Sequence, residues 1–351
     1  MGPDSAGDRG SLSAATVVVP IVFDSRWLGP HGIGRFAREV SQRCGFLPLH
    51  LGGKPVDPFD PVRLGRYLSA LKPAHFFNPG FNVPLRCSCP FSLTVHDLIH
   101  LDVPGERSLV KEAYYEWLVK PALARAAMVF TGSQHARQRL VEWSGLPEER
   151  FVVTGHGVGR EFSPNGPIWS NDRPYLLYVG NQKPHKNLEG LVQAFAGSGL
   201  SGDFDLLLTG NLSDSVANAV GDSGVGESVR GVGLVPEDHL PALYRGAHAL
   251  VMPSHYEGFG LPVLEAMACG TPVLSSNKTS LPEVGGDAVL YFDPEDRDAF
   301  VEGLRSLRDA YLLRELRSLG LARAQLFDWD HVAACVSRGI GLAPGAFEQP
   351  C

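Results

Sequence analysis

The chain has 351 residues, which suggests two α/β domains rather than one. With 44% apolar and 20% charged residues and no apolar run near 18 residues, it reads as an ordinary globular protein without a membrane span. A net charge of −7 and a pI near 5.9 argue against a nucleic-acid partner.

The charge is uneven. Residues 1–163 hold 18 Lys/Arg and 15 Asp/Glu, net +3; residues 164–351 hold 13 and 23, net −10, which together give −7. A mildly basic N-terminal half suits an anionic membrane face or an anionic acceptor, or is a scatter of solvated charge. The six cysteines, at 44, 87, 89, 269, 335 and 351, have no zinc spacing. A reduced, cytoplasmic protein without a structural metal is the plain expectation.

Residues 1–15 are rich in Gly, Ser and Asp and are expected to be a disordered tail. Thr16 to Phe23 reads as a buried strand. His31-Gly-Ile-Gly-Arg-Phe-Ala37 then opens a helix over roughly 35–43. Gly32-x-Gly34-x-x-Ala37 has dinucleotide-fingerprint spacing, but that fingerprint turns directly from strand to helix, and here residues 24–31 intervene. A glycine loop facing a ligand across a cleft suits better; a plain helix-start turn is the alternative.

Pro61 to Leu71 reads as a helix, and His75–Asn78 and Phe91–Val95 as strands. The second runs into His96-Asp97, a pair at a strand's carboxyl end, where open parallel sheets bind ligands. It is a candidate for acid/base or hydrogen-bonding work, or a strand cap. A long helix over Leu109–Ala126, a strand at Met128–Thr131, a Ser133-capped helix to Trp143 and a strand at Phe151–Val153 follow. Gly155-His-Gly-Val-Gly159 and the Pro-rich run to Pro167 read as a linker.

The second half repeats the alternation. A strand at Tyr175–Val179 leads through the basic loop Gly180-Asn-Gln-Lys-Pro-His-Lys-Asn187 to a helix at Leu188–Phe195. Strands follow at Phe204–Thr209 and Val229–Leu234, with a weak helix in 211–226 between them and a helix at Pro236–Gly246 after. Then come a strand (Ala247–Pro253), a Gly258-Phe-Gly-Leu261 turn, a helix from Pro262 to Gly270 and a strand (Thr271–Ser275). A strand at Ala288–Phe292 and helices at Pro294–Arg308, Tyr311–Gln325 and about 327–345 complete the chain. Alternation of this kind implies parallel βαβ units. Glycines before a helix N-terminus favour an anion such as phosphate. Glu257 and Glu265 flank that turn, either as ligand-binding carboxylates or as helix caps.

Six segments in this order make the chain similar to a retaining glycosyltransferase of the GT-B fold, family 4, of mannosyl- or rhamnosyltransferase type. They are G-I-G-R-F from 32, T-V-H-D-L from 94, G-S-Q-H-A-R from 132, Y-V-G-N-Q-K-P-H-K-N-L-E-G-L-V-Q-A-F from 178, G-L-V-P-E-D-H-L-P-A-L-Y-R-G-A from 233, and Y-E-G-F-G-L-P-V-L-E-A-M-A-C-G-T-P-V from 256.

The resemblance implies two doubly wound Rossmann-like α/β domains facing a cleft. The acceptor domain would be 16–163, joined by the last helix (about 327–345) crossing back, and the nucleotide-sugar donor domain 164–326. Glu265 would accept ribose hydroxyls and Glu257 the donor sugar's hydroxyls. Lys186, with Asn181 or Lys183, would meet the diphosphate, helped by backbone N–H groups of Gly258, Phe259, Gly260 and Leu261. Gly233 and Leu234 would meet the base. Gly32 and Gly34 would approach the diphosphate from across the cleft, and His96 with Asp97 would face the reacting sugar. No metal or cofactor is implied. The donor, a GDP- or UDP-sugar, is the substrate, and the acceptor is a glycan or lipid-linked saccharide in surface-polysaccharide synthesis, reached in the cytoplasm or at the inner membrane face.

Three positions depart from the family pattern: Asn181 and His156 stand where Arg and Asn are common, and Gly-Ile-Gly replaces a looser Gly-Gly. A sugar-nucleotide epimerase or phosphorylase of the same fold would lack the Glu pair in this form. A non-catalytic nucleotide-sugar-binding subunit would have lost Lys186 or Glu257.

Overall fold

A computed structural model describes residues 20–342. The expected tail 1–15, the first residues of the Thr16–Phe23 strand and residues 343–345 of the expected last helix lie outside them. Twelve short strands are described: β1 Ile21–Asp24, β2 Leu47–Leu49, β3 His75–Asn78, β4 Phe91–Thr94, β5 Met128–Thr131, β6 Phe151–Val153, β7 Tyr175–Tyr178, β8 Asp205–Leu208, β9 Val229–Gly231, β10 Ala249–Met252, β11 Val273–Ser276 and β12 Leu290–Phe292. They form two six-stranded sheets, ordered β2-β1-β3-β4-β5-β6 and β12-β11-β10-β7-β8-β9. Every ladder pair is parallel. Runs such as Tyr-Leu-Leu-Tyr in β7 and Ala-Leu-Val-Met in β10 are buried throughout, because helices cover both faces of each sheet.

The order reverses between β1 and β3 in the first sheet and between β7 and β10 in the second. Loops leaving neighbouring strands there diverge and open a crevice at the carboxyl ends. Both crevices carry residues singled out above: the Gly32 loop and His96-Asp97 in one, the 180–187 and 253–261 loops in the other.

The structure shifts several expected boundaries for local reasons. The first helix is Gly32–Cys44, three residues earlier than expected, because the His31 ring accepts the Gly34 N–H at 3.0 Å and caps it. That N–H is therefore already committed, and with residues 25–31 still between strand and helix the dinucleotide fingerprint is ruled out. The long helix over 109–126 is interrupted by a π turn, Tyr115–Val119, just before Pro121, whose missing N–H a regular helix would need. The edge strand β2 was not expected, since its Pro48 weakens a strand pattern.

The final helix, Trp329–Gly339, returns to the first half. Trp329, Val332 and Val336 pack with Phe36, Val40 and Phe130. Fully burying side chains of this size contributes about 1.5–3 kcal/mol each. A Cβ at Gly157 would lie 2.4 Å from Trp329 N, so the expected linker touches this helix through a glycine.

Candidate active site

The loop after β7 runs through one 3-10 turn, Pro184–Lys186, and ends on Asn187 at φ 56°. The loop after β10 ends on Gly260 at φ 109°, a conformation side-chain-bearing residues rarely adopt, and leads into the helix Leu261–Ala268. Lys186 Nζ donates to Glu257 Oε1 at 2.7 Å, and Ser254 Oγ donates to the same oxygen at 2.7 Å. Glu257 N donates to Thr279 Oγ1 at 3.0 Å, and Ser280 Oγ donates to both Glu257 O and Phe259 O at 2.9 Å. Carboxylate and glycine turn are thus held by separate sets of bonds. The amides of Gly258, Phe259 and Gly260 donate to no backbone group among the described residues, so they remain available at the helix start.

Asp97 faces this turn from the first sheet. A Cβ on Gly258 would come 2.6 Å from Asp97 Oδ2, and Ser133 Oγ donates to Gly258 O at 3.0 Å, so Gly258 is one of the places where the two halves meet. Burial pushes the Asp97 carboxyl up, while the Ile99 N–H, 3.0 Å from Oδ1, pulls it back. Asp97, Glu257 and Lys186 therefore share one small volume across the cleft.

His96 Nε2 donates to Pro79 O at 2.9 Å, which leaves Nδ1 as an acceptor. The ring stands edge-on to Phe36, 5.1 Å between centroids. Burial pushes its pKa down to about 4. The acid/base expectation narrows accordingly: at neutral pH His96 is an uncharged acceptor. It also carries a pH signature. Below about pH 6.5 the unfolded chain takes up a proton that the folded His96 refuses until about pH 4, so stability is lost as pH falls through that window. By pH 5 this amounts to about 2 kcal/mol, and urea unfolding of His96→Asn should show a correspondingly shallower pH slope.

Glu265 is buried midway along the short helix. Tyr244 OH donates to its Oε2 at 2.8 Å, and Arg35, from the first helix, donates to its Oε1. Burial raises the Glu265 carboxyl, and Arg35 and Tyr244 counter that. A cavity of about 470 Å³ is lined by Gly180, Asn181, Gln182, Thr209, Leu234 and Leu240, the last on the same helix as Tyr244. Leu234 is 96% exposed there, an apolar surface suited to a flat base.

The remaining expected residues divide. Gly32 does lie across the cleft, 3.5 Å from Leu261 Cδ1 for an added Cβ, whereas Gly34 is closed against its own loop, where a Cβ would strike Gly29 O. Gly233 exchanges both backbone bonds with Gly210, at 2.8 and 3.2 Å, so its N–H is already committed and it shapes its own loop. Asn181 lines the cavity, and Lys183 Nζ reaches Glu106 Oε2 at 2.9 Å. Lys183 is therefore the cross-cleft cation of that loop.

Sequence reasoning missed Arg35, Tyr244, Ser254 and Glu106. Arg35 and Tyr244 stand inside quoted motifs, so their position was visible but not what they face. It also missed Glu283, whose carboxylate accepts Gln134 N at 2.7 Å and His135 N at 2.6 Å and caps a helix of the other half.

Comparison with known proteins bears on this arrangement. The Glycosyltransferase Family 4 profile matches residues 21–162, and the Glycosyl transferases group 1 profile matches 160–317. An O-antigen chain mannosyltransferase B of Escherichia coli is 34% identical over 73% of this chain and 71% of its own length. The chain belongs to glycosyltransferase family 4. A serotype-specific mannosyltransferase WbdA of Escherichia coli is 30% identical over 75% of this family member, which spans 34% of that longer protein. Among solved structures, WaaG, a glycosyltransferase involved in lipopolysaccharide biosynthesis, superposes with a TM-score of 0.73 at 15% identity, covering 92% of this chain and 99% of its own. HepE of Anabaena in complex with UDP-glucose gives 0.74 at 15% identity over 91% and 98%. These likenesses place the chain in the GT-B fold. No helix among its described residues is long and apolar enough to cross a membrane.

Proposed function

We propose that this glycosyltransferase moves mannose, with retention of configuration, from a GDP- or UDP-linked donor to a saccharide acceptor in surface-polysaccharide synthesis. The names of its relatives support the sugar and the setting. The observation that carries the site is the Lys186–Glu257 pair beside three uncommitted amides, with Glu265 in the helix that those amides precede. In this reading the base lies on Leu234, the ribose hydroxyls on Glu265, and the diphosphate between Lys186 and the amides of Gly258–Gly260. The sugar sits between Glu257 and the His96-Asp97 pair.

As the bond between the sugar's anomeric carbon and the diphosphate breaks, negative charge grows on the departing phosphate and positive charge on the sugar. Lys186 and the amides stabilise the first, and the Glu257 and Asp97 carboxylates the second. The His96 acceptor nitrogen orients a sugar hydroxyl. Charge stabilisation of the leaving group then comes from protein groups, without a divalent metal.

The acceptor side is the first half. Val56, Phe59, Leu109, Val110 and Trp117 are exposed there, and a groove of about 580 Å³ lined by Phe81, His100, Lys111, Tyr114 and Trp117 lies beside Glu106. Apolar and basic groups together suit a lipid-linked acceptor presented at an anionic membrane.

The test is nucleoside diphosphate release from GDP-mannose, UDP-glucose, UDP-galactose and dTDP-rhamnose, each with and without EDTA. GDP release from GDP-mannose that survives EDTA is expected. Turnover of none of the four, or turnover abolished by EDTA and restored by a divalent ion, would contradict the reading.

A further inference from the structure

Arg35 stands within the G-I-G-R-F segment but has no part in the scheme above. Its guanidinium is largely enclosed and lies 5.4 Å over the Phe162 ring. One nitrogen donates to Glu265 Oε1 and another to Glu237 Oε1 at 3.3 Å. Glu237 belongs to the loop between β9 and the helix Leu240–Gly246, which supplies Leu234 and Val235 to the cavity lining, so a side chain of the first half grips both Glu265 and the cavity's own loop. Arg38, one turn on, comes within 3.8 Å of Glu237 Oε2.

We propose that Arg35 is the positioning residue of the nucleoside site: it orients Glu265 for the ribose and ties closure of the two halves to an occupied nucleoside cavity. The inference rests on the reading of Glu265 as the ribose acceptor.

The geometry argues for more than an interdomain tether. Glu265 has one partner per oxygen, Arg35 on Oε1 and Tyr244 on Oε2. Each carboxylate oxygen keeps a further lone pair, so the plane of the group is fixed while two acceptor positions stay open, which matches a pair of vicinal hydroxyls. A buried carboxylate left with a phenol alone would be costly to keep ionised, and only the ionised form accepts at both oxygens. The helix holding Arg35 begins at Gly32, opposite Leu261, so moving the halves apart withdraws the guanidinium from Glu265 and Glu237 together.

The pH consequence has a definite sign. The charged or titratable groups facing Glu265 are Arg35 on the first helix, Tyr244 on the helix Leu240–Gly246, Glu161 before the second sheet and Cys269 at the end of its own helix; Glu237 acts through Arg35. Arg35 holds the Glu265 carboxyl down against burial. Removing it lets the carboxyl rise, so acceptance of the ribose is lost at a higher pH than in the wild type.

Calorimetric titration of GDP and of UDP at about pH 8 and about pH 6 tests this, with Arg35→Gln, Arg35→Lys, Glu237→Gln and Glu265→Ala beside the wild type. Arg35→Gln should bind whichever nucleotide the wild type prefers about tenfold more weakly at the higher pH, and weaken further at the lower pH. Arg35→Lys should recover part of the loss, and donor KM should rise more than kcat falls. If Arg35→Gln does not fold, Arg35→Lys and Glu237→Gln carry the test, each expected to bind several-fold more weakly. Wild-type affinity in the Arg35 variants while Glu265→Ala loses binding would overturn the inference and leave the ribose reading standing. Wild-type affinity in Glu265→Ala would remove the ribose reading itself, and the inference with it. An equal, pH-independent loss in Arg35→Gln and Arg35→Lys would reduce Arg35 to a structural tether and also overturn it.

Discussion

Replacing Lys186 by Ala lowers the rate of donor cleavage by about ten- to a few hundred-fold. Charge-assisted hydrogen bonds contribute about 1.5–3 kcal/mol, and each ~1.4 kcal/mol is a factor of ten in rate. The expected loss falls on kcat, because the charge on the leaving diphosphate grows only as the bond breaks. Lys186 also donates to Glu257 at 2.7 Å, so its removal leaves that buried carboxylate with Ser254 alone. The two residues act as a unit. A Lys186→Ala, Glu257→Gln double variant should therefore lose about as much as the worse single variant rather than the product of both. Single-turnover rates of all three variants check this. A Lys186→Ala enzyme within about twofold of the wild type would show that the leaving group is stabilised elsewhere.

The second large effect lies away from the cleft. Arg26→Met should destabilise the first half by about 3–5 kcal/mol, the range for removing one partner of a buried ion pair. Arg26 bridges Asp24 at 2.6 Å and Asp60 at 2.5 Å, and both carboxylates are fully buried. Burial opposes the guanidinium charge, but hydrogen bonds and charge from Asp24 and Asp60 outweigh it and raise its pKa. Asn82 donates to both carboxylates, at 3.1 and 3.0 Å, and Trp27 donates to Asn82 at 2.6 Å. Asp60 keeps Arg63 when Arg26 is lost, whereas Asp24 keeps Asn82 and a main-chain N–H, so the penalty falls mainly on Asp24. Urea unfolding followed by a probe in residues 20–160 measures it. A shift below about 1 kcal/mol would mean the site relaxes or hydrates, as an exposed pair would.

This network also marks what could be seen in advance. Asp24, Arg26, Asp60 and Asn82 are separated by up to 58 residues, and nothing in their local pattern links them. The strands and helices were legible because their apolar runs and glycine stops are local. The β10 turn was legible for the same reason: Tyr256 to Val273 carries its glycines, prolines and two glutamates within 18 residues. What each side chain faces was not legible. Gly34 and Gly233 looked like ligand-facing glycines, yet one is closed against Gly29 and the other is paired with Gly210, contacts that depend on how distant loops fold back. Lys183 and Lys186, three residues apart, part company because the 3-10 turn sends one to Glu106 and the other to Glu257. Arg35 is the same case across the cleft: its residue type was on view in a motif, and its partners lie 202 and 230 positions away.

In the proposed site the donor's ribose lies on Glu265, in the helix that follows the turn carrying Glu257. Calorimetric titration of GDP and 2′,3′-dideoxy-GDP into the wild type and Glu265→Ala tests it most directly. The wild type should bind GDP about ten- to a hundred-fold more tightly than the dideoxy compound, because the latter lacks the two hydroxyls that donate to a charged carboxylate. Glu265→Ala should bind the two almost equally. A variant that still discriminates between them as the wild type does, or a wild type that never did, would contradict the account.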